Sequence, residues 1–289
     1  MRKIHTQPVR LNDKETAELI STYKKAYKQV VKEIVTVKDF RIRTRRQTLS
    51  NIREILVDLK VDIDSFIENE IETLYKGGAL DAIRELKYQG ADVAQKSTFN
   101  RIHQGAINSL VTETQEAFGL SMQGVMKDAR FILGKSVRDA ITARLLEGKI
   151  TGKVRREIRN NIVADLKETG LTALVDKGGR KWSLEAYTNM LISTKGTEAR
   201  NRGTANRLAE LGYDTVLVST HHCDCDECRV WEGRVLSLTG ETKGYPTVAD
   251  ATSAGLFHPN CKHAINAFVP ELNENYREPT KIKVENLDD

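Results

Sequence analysis

The residues best suited to chemistry are gathered in one short stretch of the chain, between His221 and His263. All four cysteines of the 289-residue chain lie in this stretch, together with four of its six histidines. Thiolates and imidazoles are the ligands that zinc prefers, and four of them around one ion make a closed structural site. The clustering therefore predicts a structural Zn²⁺ ion as the cofactor of this protein.

Two pairs of residues in the stretch have the spacing of zinc ligands. Cys225-x-x-Cys228 would supply two thiolates from one tight turn. The second pair is either Cys261 with His263 or His258 with Cys261, and 32 residues separate Cys228 from Cys261. The metal would therefore close a loop that holds a small hairpin of its own.

Two other uses of the cysteines are less favoured. Disulfides need an oxidising compartment, and we expect no secretory signal because the first residues, Met-Arg-Lys-Ile-His-Thr-Gln-Pro, contain no apolar core. A catalytic cysteine would need a feature that distinguishes it, and none of the four has one. Cys223 is predicted to be a spare thiol.

The composition is that of a polar globular chain. Hydrophobic residues make up 39% and charged residues 29%, and the mean hydropathy is −0.45. No run of about 18 apolar residues occurs, so no membrane span is expected. The net charge of +5, from 45 basic and 40 acidic residues, permits contact with nucleic acid but does not require it.

The first two thirds of the chain are predicted to be almost entirely helical. Apolar residues recur there every three or four positions, and no proline occurs between Pro8 and Pro246. The predicted helices begin at a cap on Asn12, cover 45–76 up to Gly77-Gly78, cover 79–89, run in broken pieces over 91–134, cover 136–147, and run from a cap on Thr151 to Gly170.

The last third is predicted to mix helix and strand. A loop or short hairpin is expected at 176–180, then a helix from Trp182-Ser183 to Gly212, and strands at 215–219, 232–240 and 265–269, where β-branched residues are frequent. The predicted fold is thus a mainly α N-terminal region with a small α+β zinc-binding C-terminal domain. The predicted boundaries are 1–175 for an elongated helical region, 176–271 for the zinc domain and 272–289 for a flexible tail.

The order of motifs in residues 180–271 resembles a known family. The motifs are Trp182, Glu185-Ala-Tyr187-Thr-Asn-Met190, Gly212-Tyr213-Asp214, Cys225-x-x-Cys228, Trp231-Glu-Gly233, Tyr245-Pro246 and His258-Pro259-Asn260-Cys261-Lys262-His263. In this order they resemble the phage head-morphogenesis or minor capsid proteins, typified by the phage Mu F protein. The resemblance identifies 176–271 as a Mu F-like head-morphogenesis domain, and the helical first two thirds carry no matching signature.

Two departures from the family pattern bear on the site. Members often carry Arg-Thr where this chain has Ser193-Thr194, which leaves the role of that arginine without a counterpart. Many members end the last motif with Cys-Arg-Cys, whereas this chain has Cys261-Lys262-His263. Because imidazole can replace thiolate as a zinc ligand, the resemblance implies Cys225, Cys228 and Cys261 with His263 as first choice for the fourth ligand, ahead of His258.

The resemblance implies a virion protein that is not an enzyme. Such a protein is made in the cytoplasm of the bacterial host and packed in few copies in the head, near the portal vertex. Its implied partners are the portal protein and the major capsid or scaffolding proteins, with packaged DNA as a further candidate. Its implied roles are in head assembly and in genome packaging or ejection.

Parts of the sequence also fit two other functions. A zinc-containing nucleic-acid-binding protein is favoured by basic residues at 41–46 and 153–159, but no aromatic side chains are interleaved with them. A His-Asn-His-type nuclease needs a histidine base beside a separate catalytic metal. With the histidines of the last motif assigned to zinc, only His221 or His222 would be left as that base.

Overall fold

The computed structural model describes residues 13–37, 39–94, 98–147, 151–175, 179–221 and 225–279. The helices are α1 (Asp13–Val35), α2 (Ile42–Gln89), α3 (Arg101–Glu147), α4 (Gly152–Thr169), α5 (Leu184–Glu210), α6 (Asp226–Arg229) and α7 (Val248–Ser253). The strands are β1 (Thr172–Val175), β2 (Lys181–Ser183), β3 (Thr215–Val218), β4 (Val235–Ser237) and β5 (Ile265–Ala267), followed by a 3₁₀ turn at Pro270–Leu272. The prediction of a mainly helical chain with a small α+β part near the C-terminus is confirmed.

Helices α2 and α3 are longer than the sequence predicted. The predicted helix end at Gly77-Gly78 is wrong, because α2 continues through both glycines to Gln89. The broken helical pieces predicted over 91–134 are likewise replaced from Arg101 onward by the single helix α3. A glycine inside a helix costs only about 1 kcal/mol, which the packing of so long a helix easily outweighs.

Several predicted helix ends are confirmed. The side chain of Thr151 accepts a hydrogen bond from the Val154 amide at 3.3 Å, and Gly170 ends α4 with a positive φ of 61°. The Ser183 hydroxyl accepts from the Ala186 amide at 3.2 Å, at the start of α5. Each of these bonds satisfies an amide that the first helical turn leaves without a partner. The predicted cap on Asn12 lies outside the described residues.

Strands β3, β4 and β5 form an antiparallel sheet in the order β4-β3-β5. The central strand β3 was predicted as 215–219, and all four of its residues are buried. The flanking strands are present but shorter than predicted. Strand β4 begins only at Val235, because Glu232 and Gly233 form a turn in which Gly233 has a φ of 69°.

The three-stranded sheet is covered on both faces. One face packs against the end of α2, the end of α5 and helix α7, in a core that contains Leu86, Leu208, Val216, Ala251 and Ile265 among others. The other face carries Leu217, Val235 and Phe268, with Tyr245 and Tyr276 packed against them. This double burial explains why β3 is a continuous apolar run without alternation of polar residues.

The chain forms two compact units, each built from separate segments. One contains the three-stranded sheet and includes residues 68–112 and 190–279, and the other, which contains the pair β1–β2, comprises 14–67 and 113–189. In the second unit the stripes predicted from apolar spacing are buried, and the rings of Tyr23 and Phe118 lie 5.9 Å apart. The predicted boundaries near 175 and 271 concern folding domains and stay predictions.

The first part of the predicted tail contacts the sheet. The Tyr276 hydroxyl donates to the Gly233 carbonyl at 2.5 Å, and its ring lies 5.1 Å from that of Phe268. The Glu278 carboxylate accepts from the Val235 amide at 3.1 Å. Residues 280–289 lie outside the described part of the chain.

Candidate metal centre

The cysteines and histidines singled out in the sequence meet at one end of the three-stranded sheet. The register pairs Val218 of β3 with Ile265 of β5. The pairing continues beyond the strands, because the Ser219 amide donates to the Ala264 carbonyl at 2.9 Å. His221 and His263 therefore emerge side by side, and their ring centroids are 4.2 Å apart.

Cys225 and Cys228 lie on one turn of chain around the short helix α6. The Arg229 amide donates to the Cys225 carbonyl at 2.9 Å, and the Trp231 amide to the Cys228 carbonyl at 3.0 Å. These bonds fold the Cys-x-x-Cys segment into a single turn, so that both thiols point to the same side. Cys228 is 1% exposed, whereas Cys225 is partly exposed.

His258 and Cys261 lie on a second tight turn, which follows α7. The Cys261 amide donates to the His258 carbonyl at 2.9 Å, and Asn260 adopts a positive φ of 67°. The Asn260 amide donates to the Thr194 hydroxyl at 3.1 Å, which fastens the turn to α5. Thr194 lies in the motif where many family members carry Arg-Thr, and its contact gives that threonine a structural role.

The distances between the candidate ligands are close to those of a zinc site. Cys228 Sγ lies 3.6 Å from Cys261 Sγ, and Cys225 Sγ lies 3.2 Å from His258 Nε2. Cys261 Sγ lies 3.2 Å from His263 Nδ1. Ligands around a tetrahedral zinc are about 3.8 Å apart for two sulfurs and about 3.6 Å apart for sulfur and nitrogen, given the usual bond lengths.

All five predicted ligands are therefore brought together, in two overlapping groups that share Cys228. One group is Cys225, Cys228 and His258, and the other is Cys228, Cys261 and His263. Burial raises the pKa of the Cys228 thiol well above its ordinary value, and the neighbouring sulfurs of Cys261 and Cys225 raise it further. Crowded, buried thiols of this kind become thiolates when a cation lies between them, so the donor set fits a zinc ion.

A second polar cluster adjoins these ligands, and the sequence alone did not reveal it. It consists of His221, Glu232 and His263, with one donor atom from each within 4.8 Å of the others. Glu232 Oε1 lies 3.1 Å from His263 Nε2 and accepts from the His221 amide at 3.1 Å. Glu232 follows Trp231 in a turn, where no ligand-like spacing marks it, and only the sheet register could have placed it here.

Some predicted residues and surfaces lie elsewhere. Cys223, the predicted spare thiol, and His222, one of the two candidate bases, fall outside the described residues. The basic side chains at 153, 155, 156 and 159 are exposed on α4, as predicted. The Arg159 guanidinium donates to the Val37 carbonyl at 3.3 Å. Among the described residues, no helix is both long and apolar enough to cross a membrane.

Comparison with known proteins agrees with the order of motifs around the centre. The family model described as phage minor capsid protein 2 matches residues 43–288. The chain belongs to this family. The family prediction made from the motifs is therefore confirmed, and the match extends well into the helical segments that carry no motif.

One curated relative also comes from a phage and is named as a structural protein. A protein of Lactococcus phage LL-H named "Structural protein" is 31% identical over 134 residues, which cover 42% of this chain and 36% of the relative. The match thus spans about a third of that relative's length. No solved structure matches the chain. The family and this relative support a structural role in a phage particle.

Proposed function

We propose that this protein is a structural component of the phage head that binds the portal and acts in head assembly and in genome packaging or ejection. The observation that carries the proposal is the match to the minor capsid family over residues 43–288. The relative named as a structural protein supports it. The helical unit would bind the partner, and the zinc domain would serve as a stable fold rather than as a catalyst.

An exposed apolar stripe on α3 is suited to such binding. Leu120, Phe131, Ile141 and Leu145 are between 48% and 81% exposed. At about 100° per residue these four positions fall within a sector of about 80° on the helix. Large apolar side chains aligned on one face usually mark a protein interface, whereas single exposed apolar residues are ordinary. The stripe is the surface that we assign to the portal, or to a capsid or scaffolding protein beside it.

Co-purification with the portal protein of the same genome tests this role. The wild-type chain should be retained by tagged portal protein at low and at moderate salt, because the proposed contact is largely apolar. Phe131→Asp should reduce retention at least tenfold, a loss of about 1.4 kcal/mol. Val61→Asp is the control, since Val61 is 65% exposed on another helix. Equal retention of both variants, or absence of the protein from mature particles, would contradict the proposal.

The basic face of α4 keeps packaged DNA as a second candidate partner. Lys153, Arg155, Arg156 and Arg159 are all exposed. Contacts of this kind weaken steeply with salt, because counterions are released from the phosphates. DNA binding that disappears between low and moderate salt, while portal binding persists, would assign the two surfaces to two different partners.

The metal centre is proposed to hold one structural zinc through Cys225, Cys228, Cys261 and His258. The two turns then each supply a pair of ligands of the same spacing. His258 Nδ1 lies 2.8 Å from the Pro259 carbonyl, so its N–H donates there and Nε2 is free to face the metal. His263 was the first choice from the family pattern and is the alternative fourth ligand, since its Nδ1 lies 3.2 Å from Cys261 Sγ while its Nε2 faces Glu232.

Removal of one ligand tests the zinc. Protein purified without added metal should carry at least one zinc per chain, because the binding energy of a closed site is folding energy. Cys228→Ser should lose that zinc and unfold the sheet-containing unit first, whereas Cys223→Ser should keep it. A wild-type chain that contains neither zinc nor another metal after such a purification would refute this assignment.

A further inference from the structure

We infer that His221, Glu232 and His263 form a second site for a divalent metal of the zinc class, separate from the thiolate site. Glu232 is 7% exposed and His263 only 1%. His263 Nε2 and Glu232 Oε1 are 3.1 Å apart. Nitrogen and oxygen ligands of one tetrahedral zinc are about 3.4 Å apart, so the pair could bind an ion with little movement.

An unmatched donor atom on His221 supports this inference independently. Among the described residues, the His221 Nδ1 atom is buried and has no hydrogen-bond partner. A buried polar atom without a partner costs about 1–3 kcal/mol. The ring of His221 lies 4.2 Å from that of His263, and its backbone amide already donates to Glu232. A metal bound by His263 Nε2 and Glu232 Oε1 would give Nδ1 of His221 a partner.

His263 lies between the two clusters of candidate ligands. Its Nδ1 lies 3.2 Å from Cys261 Sγ, and its Nε2 faces the Glu232 carboxylate. The second site would bind its ion through Nε2. The inference rests on the proposed function in one respect, because it takes His258, and not His263, as the fourth ligand of the zinc.

The donor set indicates which metal would bind. Two imidazoles and one carboxylate suit Zn²⁺ and its neighbours among the divalent transition metals. Such a set of three protein ligands leaves a fourth position for water. The backbone at Glu232 is anchored to strand β3, because the amide of the next residue, Gly233, donates to the Val218 carbonyl at 3.1 Å.

Cobalt substitution separates the two sites in the full-length chain. Protein produced in cobalt-supplemented medium should bind two Co²⁺ ions per chain. The thiolate site should give intense sulfur-to-cobalt charge-transfer bands, and the second site only the weak bands of nitrogen and oxygen ligands. Glu232→Gln should lower the cobalt content from two ions to one and leave the charge-transfer bands unchanged. Glu241→Gln, at an exposed position, is the matched control and should keep both ions.

The outcomes distinguish this inference from the proposed zinc site. If the wild type binds one cobalt with charge-transfer bands and Glu232→Gln binds the same, the second site holds no metal and the inference is wrong. If the charge-transfer bands are absent, the thiolate site is refuted, whereas weak bands that Glu232→Gln removes would still support the second site. Should Glu232→Gln fail to fold, His221→Ala serves instead, and retention of both ions in that variant would overturn the inference.

Discussion

Helices α2 and α5 cross at two glycines, and this crossing makes a sharp prediction. A Cβ on Gly78 would lie 2.9 Å from the carbonyl carbon of Arg200, and closer still to its oxygen. A Cβ on Gly203 would meet the backbone of Tyr75 in the same way. Gly77, the neighbour of Gly78 in the same helix, has open space around it. Alanine at positions 77 and 78 should therefore have opposite effects on stability.

The magnitudes follow from the contacts. Gly77→Ala should raise the free energy of unfolding by about 0.5–1 kcal/mol, because alanine loses less backbone entropy than glycine in a helix. Gly78→Ala gains the same amount but requires the helices to separate by roughly 1 Å to reach a normal carbon–carbon contact. Overpacking of this kind costs about 1–3 kcal/mol. It also strains the hydrogen bond from the Thr204 hydroxyl to the Gly78 carbonyl, now 3.1 Å and worth about 1 kcal/mol.

Urea unfolding, followed by circular dichroism, measures both variants. The two midpoints should lie on opposite sides of the wild type, and the two free energies of unfolding should differ by about 2–4 kcal/mol. Gly203→Ala tests the same crossing from the other helix and should behave like Gly78→Ala. If Gly78→Ala is as stable as Gly77→Ala, the close approach of the two backbones does not exist.

Two further predictions concern carboxylates beside the sheet. Burial raises the pKa of Glu85 to about 7, so the folded state binds its proton more tightly than the unfolded state does. The free energy of unfolding should therefore fall as the pH rises from about 4.5 to about 7. Glu85→Gln, which still offers an acceptor to the Ala267 amide, should abolish that decline, which is about 3 kcal/mol over the whole range, in a pH series of urea midpoints. Burial alone would raise the pKa of Asp214, but hydrogen bonds from Ser237, Thr242 and Thr239 hold it well below its usual value. Its stabilisation should be fully present above about pH 3.8 and decrease as the pH falls, so Asp214→Asn should cost about 1–3 kcal/mol at pH 7 and less at pH 2.

The candidate metal ligands could be predicted from sequence because their residue types are rare and their spacing is local. Cys225 with Cys228, and His258 with Cys261, each lie within a single turn, so three residues of chain suffice to bring each pair together. The caps of α4 and α5 were predictable for the same reason, since a capping hydroxyl acts on an amide three residues away.

Features that depend on distant packing could not be predicted in this way. Gly78 reads as a helix end in the sequence, and only the backbone of α5 explains why a glycine stands inside α2. Glu232 reads as an ordinary surface acid, yet it is buried against His263 because β3 and β5 pair in one particular register. In both cases the cause lies more than 30 residues away along the chain.

The outer edge of β5 is covered by a helix that lies far from it in the sequence. An unpaired strand edge is open to association with another chain, and here side chains of α2 cover it. The Ala267 amide donates to the Glu85 carboxylate at 2.6 Å, and the Gln89 amide group donates to the Ala267 carbonyl at 2.7 Å. The Gln89 side-chain oxygen also accepts from the Val269 amide at 2.9 Å. Helix α2 thus takes the place of a fourth strand beside β5. The residues just before β5 in the chain include His263 and Cys261. The positions of these two side chains therefore depend on a helix about 180 residues earlier in the chain.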